Sequence, residues 1–362
     1  MKRLISVLAL ATGLGLSAMP LAARDLLVTT AKDNTLYVFD ATERSLIQSC
    51  PIGGQVMPGV IVMSPDSSIA YLVVNLWEDV IGIDLATCEK VFHAVGSSKD
   101  VTRKSMASLA VSRDGTEIYA IRNQVRKLID RYETLPPEFV VFDAEAGLDA
   151  QPKASFEAPR RVTVMAAGDT GLVYAAGHDI FAIDPSDGTT TVAIPNAHWD
   201  MPRHSPPDVL AFWPIGTQND EFLLMYSAAL FTDETMSDIA DFVWGYSTVD
   251  LKTGETDVRD FASFEVIMFS GVRNPVRPNE LFGVYTQLSK HDVDTGELIK
   301  RVDLPHTYYV INISSDGSEV YVGGTNADIG VYDTETLERI GEMQIPTGAD
   351  MAITTLQIAK AE

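Results

Sequence analysis

Histidines, cysteines and paired carboxylates are the side chains that most often do chemistry, and in this 362-residue chain they are thinly spread. The six histidines are His93, His178, His198, His204, His291 and His306. None stands in a His-x-x-x-His or His-Glu-x-x-His run, the spacings that turn two imidazoles toward one zinc ion. His198 and His204 share a segment with Asp200 and could in principle hold a metal, although an exposed loop histidine with no ligand is the commoner case. No Gly-x-Ser-x-Gly elbow activates a serine, and no glycine-rich loop cradles phosphate. Cys50 and Cys88 are the two thiols, too few for a four-thiolate cluster, and no Cys-x-x-Cys-His run exists to attach a haem. No catalytic group, no metal site and no bound cofactor is therefore expected in this chain itself.

The elements that carry these residues recur. Seven hydrophobic runs end in an aspartate followed by a polar turn, at Asp40, Asp84, Asp143, Asp184, Asp250, Asp294 and Asp333. The intervals are 44, 59, 41, 66, 44 and 39 residues, a period that marks one supersecondary unit used repeatedly. The second unit shows its content: Val60 to Met63, a turn at Ser64 to Ser67, Ile69 to Val74, Val80 to Asp84, a turn at Ala86-Thr87, then Lys90 to Ala94. Short alternating strands joined by Asp- and Gly-containing turns are hairpins in series. Four-stranded antiparallel units every 45 residues or so predict an all-β fold, a seven-bladed β-propeller. The first unit supplies only three strands, while Ile353 to Ala359 is left over at the C-terminus, so the tail is expected to complete the first blade and close the ring. The long third and fifth units leave six or eight blades as other counts.

Turns joining first to second and third to fourth strand are short, whereas Asn75 to Asp79, Ser97 to Ser105, Asn123 to Pro137, Asn196 to Pro207 and Ala228 to Asp241 are long. Antiparallel alternation puts the long ones on one rim, and rigid scaffolds carry function on such loops. Trp77, Tyr132, Trp199, Tyr308 and Tyr309 lie in or beside them, with His204, Phe231, Phe242 and Trp244 nearby. We take those first five as candidate cavity or subunit-interface residues. Aromatic residues that merely pack one loop on another are the alternative.

Lys2 and Arg3, an apolar run from Leu4 to about Met19, and Ala22-Ala23 predict a cleaved export signal over residues 1–23. Residues 24–362 are then one propeller domain, with a periplasmic location in a Gram-negative source. The formal net charge is −23, and loss of Lys2 and Arg3 would make it −25. That disfavours nucleic acid and anionic membrane as partners and favours cations. In an oxidising compartment Cys50 and Cys88, on neighbouring units, are expected to pair, two buried free thiols being the alternative.

Several segments resemble the propeller β subunit of bacterial quinohaemoprotein amine dehydrogenase. They are Asn75 to Asp79 continuing through Asp84 to Cys88, Lys104 to Gly115, Ser205 to Val209, and His306-Thr307-Tyr308-Tyr309. The resemblance implies a periplasmic heterotrimer that oxidatively deaminates primary amines. In that family a di-haem cytochrome c subunit and a small subunit bearing cysteine tryptophylquinone hold the redox groups. The propeller walls the cavity around the quinone, and electrons leave through haem c to a soluble carrier protein. A stand-alone propeller hydrolase, lactonase-like and calcium-dependent, and a periplasmic protein-binding scaffold are the other classes this chain could join.

Overall fold

The computed structural model describes residues 24–54, 58–210, 220–351 and 355–361. The expected signal, residues 1–23, lies outside the described residues, as do Ile353 and Thr354 of the expected last strand. The strands pair antiparallel into seven sheets, and one 3-10 turn, Gly147–Asp149, is the sole helical element among the described residues. Blade 2 contains Ile61–Met63, Ile69–Val74, Asp79–Asp84 and Lys90–Val95, numbered outward from the axis. Its two middle strands are buried on both faces, so they read as continuous apolar runs. The outer strand alternates, with Phe92 and Ala94 inward and Val91 and Val95 exposed.

Each sheet has two apolar faces and therefore needs a neighbour on both sides. Apolar clusters fill all seven seams, each drawing on two consecutive blades. At the seam between the last and first blades, Tyr37 and Phe39 pack with Tyr321, Val331 and Met343. Burying each such side chain contributes about 1.5–3 kcal/mol. Glycine sets how closely strands carry these rings: a Cβ on Gly245 would stand 2.0 Å from the Tyr226 ring lying across it.

The ring closes as the strand count predicts. Gln357–Ala361 pairs antiparallel with Arg24–Ala31, from Arg24 opposite Ala361 to Val28 opposite Gln357, and becomes the innermost strand of blade 1. The residues just before it are stitched to three blades. The Thr355 hydroxyl accepts the Ile61 N–H at 2.9 Å, the Thr29 hydroxyl donates to the Thr355 carbonyl at 3.2 Å, and the Asn312 amide donates to the Leu356 carbonyl at 2.8 Å. Cys50 and Cys88 are joined in a disulfide with Cα atoms 5.0 Å apart, tying the outer strand of blade 1 to a turn of blade 2 across 38 residues. A loop of that length corresponds to about 4 kcal/mol in the chain-entropy account.

The repeating aspartates cap the turn between third and fourth strands. Asp84, Asp250 and Asp333 each accept two backbone N–H groups from the following residues through one carboxylate oxygen. In blade 6 the cap is Asp292, which accepts from the N–H groups of Asp294 and Thr295, so the motif sits two residues before the Asp294 expected from sequence. The turn there is Asp292 to Gly296, and only the first carboxylate can reach back over it.

Three segments expected as long loops, Ser97 to Ser105, Asn123 to Pro137 and Ala228 to Asp241, are in part strand. Glu117–Lys127 runs past the blade and pairs at its far end with Val101–Lys104 and Tyr132–Thr134, making a three-stranded flap on blade 3. In blade 5, Glu221–Phe231 and Ile239–Asp250 form one extended hairpin. Polar side chains on both faces hid the flap, whose strands have no buried side to generate apolar alternation.

Removing residues 355–362 should expose the edge of Arg24–Ala31 and one side of three blades. The expected result is a loss of roughly 3 kcal/mol or more, with aggregation, read by urea unfolding and size-exclusion chromatography. A truncated chain with the parent's midpoint would contradict closure by the tail.

Candidate functional site

Strand direction assigns the connections to two faces. On one, the turns Ser64 to Ser68, Ser112 to Thr116 and Ser314 to Ser318 repeat a single device. The serine hydroxyl donates to the aspartate two residues on, at 2.5, 2.6 and 2.7 Å respectively, and the same carboxylate accepts the N–H groups that follow. The hydrogen bond from Ser112 holds Asp114 down at about 2. Near the axis on this face a cavity of about 410 Å³ is lined by the ends of the inner strands, with Arg113, Asp169, Asp220 and Lys360 at its polar edge. Arg113 bridges Asp169 and Asp220, and Lys252 reaches Asp220 at 2.6 Å. These charges answer one another and bolt blades 3, 4 and 5 together.

The opposite rim carries the longer connections and the five candidate residues. Trp77 sits in a turn where Asn75, Leu76 and Trp77 all have left-handed φ, at 55°, 58° and 70°. For Leu76 and Trp77 this conformation costs about 1–2 kcal/mol each, whereas an asparagine such as Asn75 adopts it more readily. The turn is held by Asn75 donating to Asp79 at 3.1 Å and by the Trp77 carbonyl accepting the Ser105 N–H at 2.9 Å. The half-buried indole lies against Gly59, where a Cβ would come within 3.1 Å of it. Trp77 thus pins the connection leading into the blade 3 flap. Tyr132 is on that flap and 77% exposed.

Trp199 is half-buried, edge-on to Tyr226 at 4.9 Å and to His204 at 6.3 Å, and its indole N–H is buried with no hydrogen-bond partner among the described residues. Tyr308 is fully buried: its hydroxyl donates to Asp328 and its ring lies 4.1 Å from His306. It shapes the loop and presents no surface. Its neighbour Tyr309 is half-buried and meets Phe269 at 5.0 Å and Tyr285 at 5.8 Å, while Phe269 stacks on Tyr285 at 4.5 Å. The five candidates therefore share a rim but occupy separate neighbourhoods. Phe269 and Tyr285 were not foreseen. The signal for them was an aromatic just outside a strand end, as at Tyr309.

Two histidines that sequence spacing left unassigned do one job twice. His204 faces the Pro202 carbonyl at 2.8 Å through Nδ1 and Asp260 at 2.7 Å through Nε2, and the other oxygen of Asp260 accepts the Tyr226 hydroxyl at 2.9 Å. His306 faces the Thr307 carbonyl at 2.9 Å and Asp328 at 2.8 Å, with Tyr308 on the other carboxylate oxygen. Each carboxylate so pins an incoming loop to its blade. Burial and the adjacent carboxylate push Tyr226 and Tyr308 far up, which keeps both phenols neutral donors. His198 does not converge on His204: its nearest carboxylate is Asp179, 4.0 Å away. No group of three His, Cys, Asp or Glu side chains able to hold a metal occurs among the described residues. Burial lowers Arg122 to about 10 where it lies 5.0 Å over Phe142, so it remains charged at neutral pH.

The chain matches no family model and no curated protein. Among solved structures it is similar to a functionally unknown protein from Desulfotomaculum acetoxidans, with TM-score 0.59, 9% identity, and 93% of this chain and 99% of that one covered. It is also similar to apo AztD from Citrobacter koseri, with TM-score 0.53, 10% identity, and 94% and 98% covered. A third is the dihydro-heme d1 dehydrogenase NirN in complex with DHE, with TM-score 0.50, 14% identity, and 96% and 77% covered. At these identities the likeness is one of fold, extending over nearly the whole ring.

Asp328→Ala should remove the acceptor from both His306 and Tyr308 and lower stability by about 2–3 kcal/mol in urea unfolding. A change under half a kcal/mol would show that the loop is held otherwise. His291 supplies a pH test. It is 1% exposed, its Nδ1 has no partner among the described residues, and burial lowers it to about 4 from 6.5. The unfolded chain takes up this proton near pH 6.5 and the folded chain does not, so its contribution is full above pH 6.5, falls with pH, and levels off below about 4. Between pH 7.5 and 5 the parent should lose about 2 kcal/mol more than His291→Phe, at about 1.4 kcal/mol per pH unit below 6.5. Parallel losses in the two chains would remove His291 as the cause.

Proposed function

We propose that this chain is the propeller subunit, without a redox group of its own, of an exported quinohaemoprotein amine dehydrogenase. In this role the rim walls the cavity around a cysteine tryptophylquinone carried by a small companion, and a di-haem cytochrome c subunit carries electrons on to a soluble acceptor. The observation that carries the proposal is the half-exposed aromatic cluster on the long-loop rim. Phe269 stacks on Tyr285 and meets Tyr309 edge-on over blades 6 and 7, and Ile267, two residues before Phe269, is 55% exposed. Side chains of this kind on a rigid ring suit a desolvated contact with another protein. Segments through Trp77, Lys104, Ser205 and Tyr308 supply the family resemblance, and the net charge of −23 favours arrival of a protonated amine.

The chain's own part in turnover is to position and to exclude water. Loops pinned by Asp260 and Asp328 hold the rim aromatics still, so a companion meets a preformed wall, and apolar rings against it keep the cavity dry. The quinone and haem chemistry belongs to the companions.

Affinity capture of this chain from its native compartment should bring down c-type haem absorbance and a small quinone-staining polypeptide. Tyr309→Ala should lower that recovery several-fold while leaving the urea midpoint within experimental error. A parent chain recovered alone and colourless would overturn the assignment.

A further inference from the structure

Two structures stand above the rim, one on each side of blade 4. The first is the flap of blade 3. Directly opposed residues share a face of a sheet, so Lys104 with Asn123, Thr102 with Val125 and Thr134, and Lys127 with Tyr132 line one side. The arginines are occupied: Arg103 pairs with Glu138 at 3.1 Å, Arg126 with Glu133 at 2.8 Å and Arg131 with Asp130 at 3.0 Å. Lys99, Lys104 and Lys127 make no ion pair among the described residues. Against these three lysines stands one carboxylate, Asp100, unpaired among the described residues. The flap so keeps an excess of positive charge in a chain of net charge −23, and its tip carries Leu128 and a fully exposed Ile129.

The second is the hairpin of blade 5. No lysine or arginine occurs from Glu221 to Leu251, and Asp233, Glu234, Asp238 and Asp241 crowd its outer end. None of these four makes an ion pair among the described residues. Ile239 and Phe242 are each 52% exposed beside them. One structure is therefore basic with an apolar tip, and the other acidic with an apolar flank.

From this complementarity we infer that two copies of the chain pair rim to rim, the blade 3 flap of each seated on the blade 5 hairpin of the other. Blades 3 and 5 are the two neighbours of blade 4, so a two-fold axis over blade 4 exchanges them and every contact is made twice, as in an isologous dimer. Lys104 and Lys127 meet Asp238 and Asp241 across the axis, and Ile129 and Tyr132 cover Ile239 and Phe242. Blade 4 keeps flap and hairpin of one chain from satisfying each other. The contact uses blades 3 to 5, leaves the Phe269–Tyr285–Tyr309 sector open, and stands independently of the amine dehydrogenase assignment.

Sedimentation velocity of the purified chain tests this at roughly 0.05 M salt, where screening of charge pairs is weak. The parent should sediment as a dimer and shift to monomer as salt is raised. The flap variant Lys104→Glu/Lys127→Glu and the hairpin variant Asp238→Lys/Asp241→Lys should each be monomeric, with the parent's circular dichroism. Mixing the two variants should restore a dimer, because each reversed surface then meets its reversed counterpart. A parent that stays monomeric at low salt overturns the inference. So does a dimer that persists in both variants, or a pair of variants that fails to associate when mixed.

Discussion

A four-stranded sheet with apolar side chains on both faces cannot exist alone in water. Each blade here buries one face against the blade before it and the other against the blade after, so every sheet depends on two neighbours and no sheet can be last. A ring satisfies that condition without a terminal cap, provided the first and last sheets also meet. The meeting is made by main-chain pairing between Arg24–Ala31 and Gln357–Ala361, and it is reinforced by Ser315 donating twice to the Asp25 carboxylate at 2.7 Å. The rest follows from closure: the seam cores, the orientation of all loops to one face or the other, and the fixed spacing of the surfaces they carry.

Against that frame the loops divide by how their charges are spent. On the short-turn face, carboxylates are consumed locally, by serine hydroxyls and backbone N–H groups within their own turns or by Arg113 and Lys252. On the long-loop face, carboxylates such as Asp260 and Asp328 look inward and hold loops down, while others, on the blade 5 hairpin, have no cation to answer them. Asp233 and Asp241 still accept hydrogen bonds from Thr235 and Ser263, but their charge meets no cation among the described residues. The difference between fastener and outward-facing charge is whether a cation or histidine stands within reach.

Blade number, strand order and tail closure were legible in the sequence because they rest on alternation, turn chemistry and a simple count. Cys50 and Cys88 were legible as a pair for the same reason, since the repeat placed them on adjoining blades. The flap was not, because Asn123 to Lys127 has one apolar residue, Val125, and no buried side to produce alternation. Its strands exist through pairing with Val101–Lys104, 19 residues from Asn123 at the Lys104 pairing. Nor could period alone show that Tyr308 faces inward while Tyr309 faces the rim. Successive residues point to opposite sides, and which side is which is settled by Asp328, reached from a different strand. The displaced aspartate in blade 6 failed in a third way: Asp292 and Asp294 are equivalent to a pattern, and only turn geometry separates them.

The bridge between Cys50 and Cys88 takes on a kinetic meaning beside the late strand. A chain made or exported from its N-terminus presents both thiols within its first quarter, long before Gln357 can arrive. Until then the structure is a crescent whose leading edge, Arg24–Ala31, is a bare row of amides and carbonyls able to recruit a stranger. Bringing the two ends together spans more than three hundred residues and is the least local pairing in the topology, the kind whose loop-closure entropy slows folding. Oxidation of the two sulfurs staples the exposed end to its neighbour during that wait, so the covalent bond guards the assembly interval as much as the finished ring.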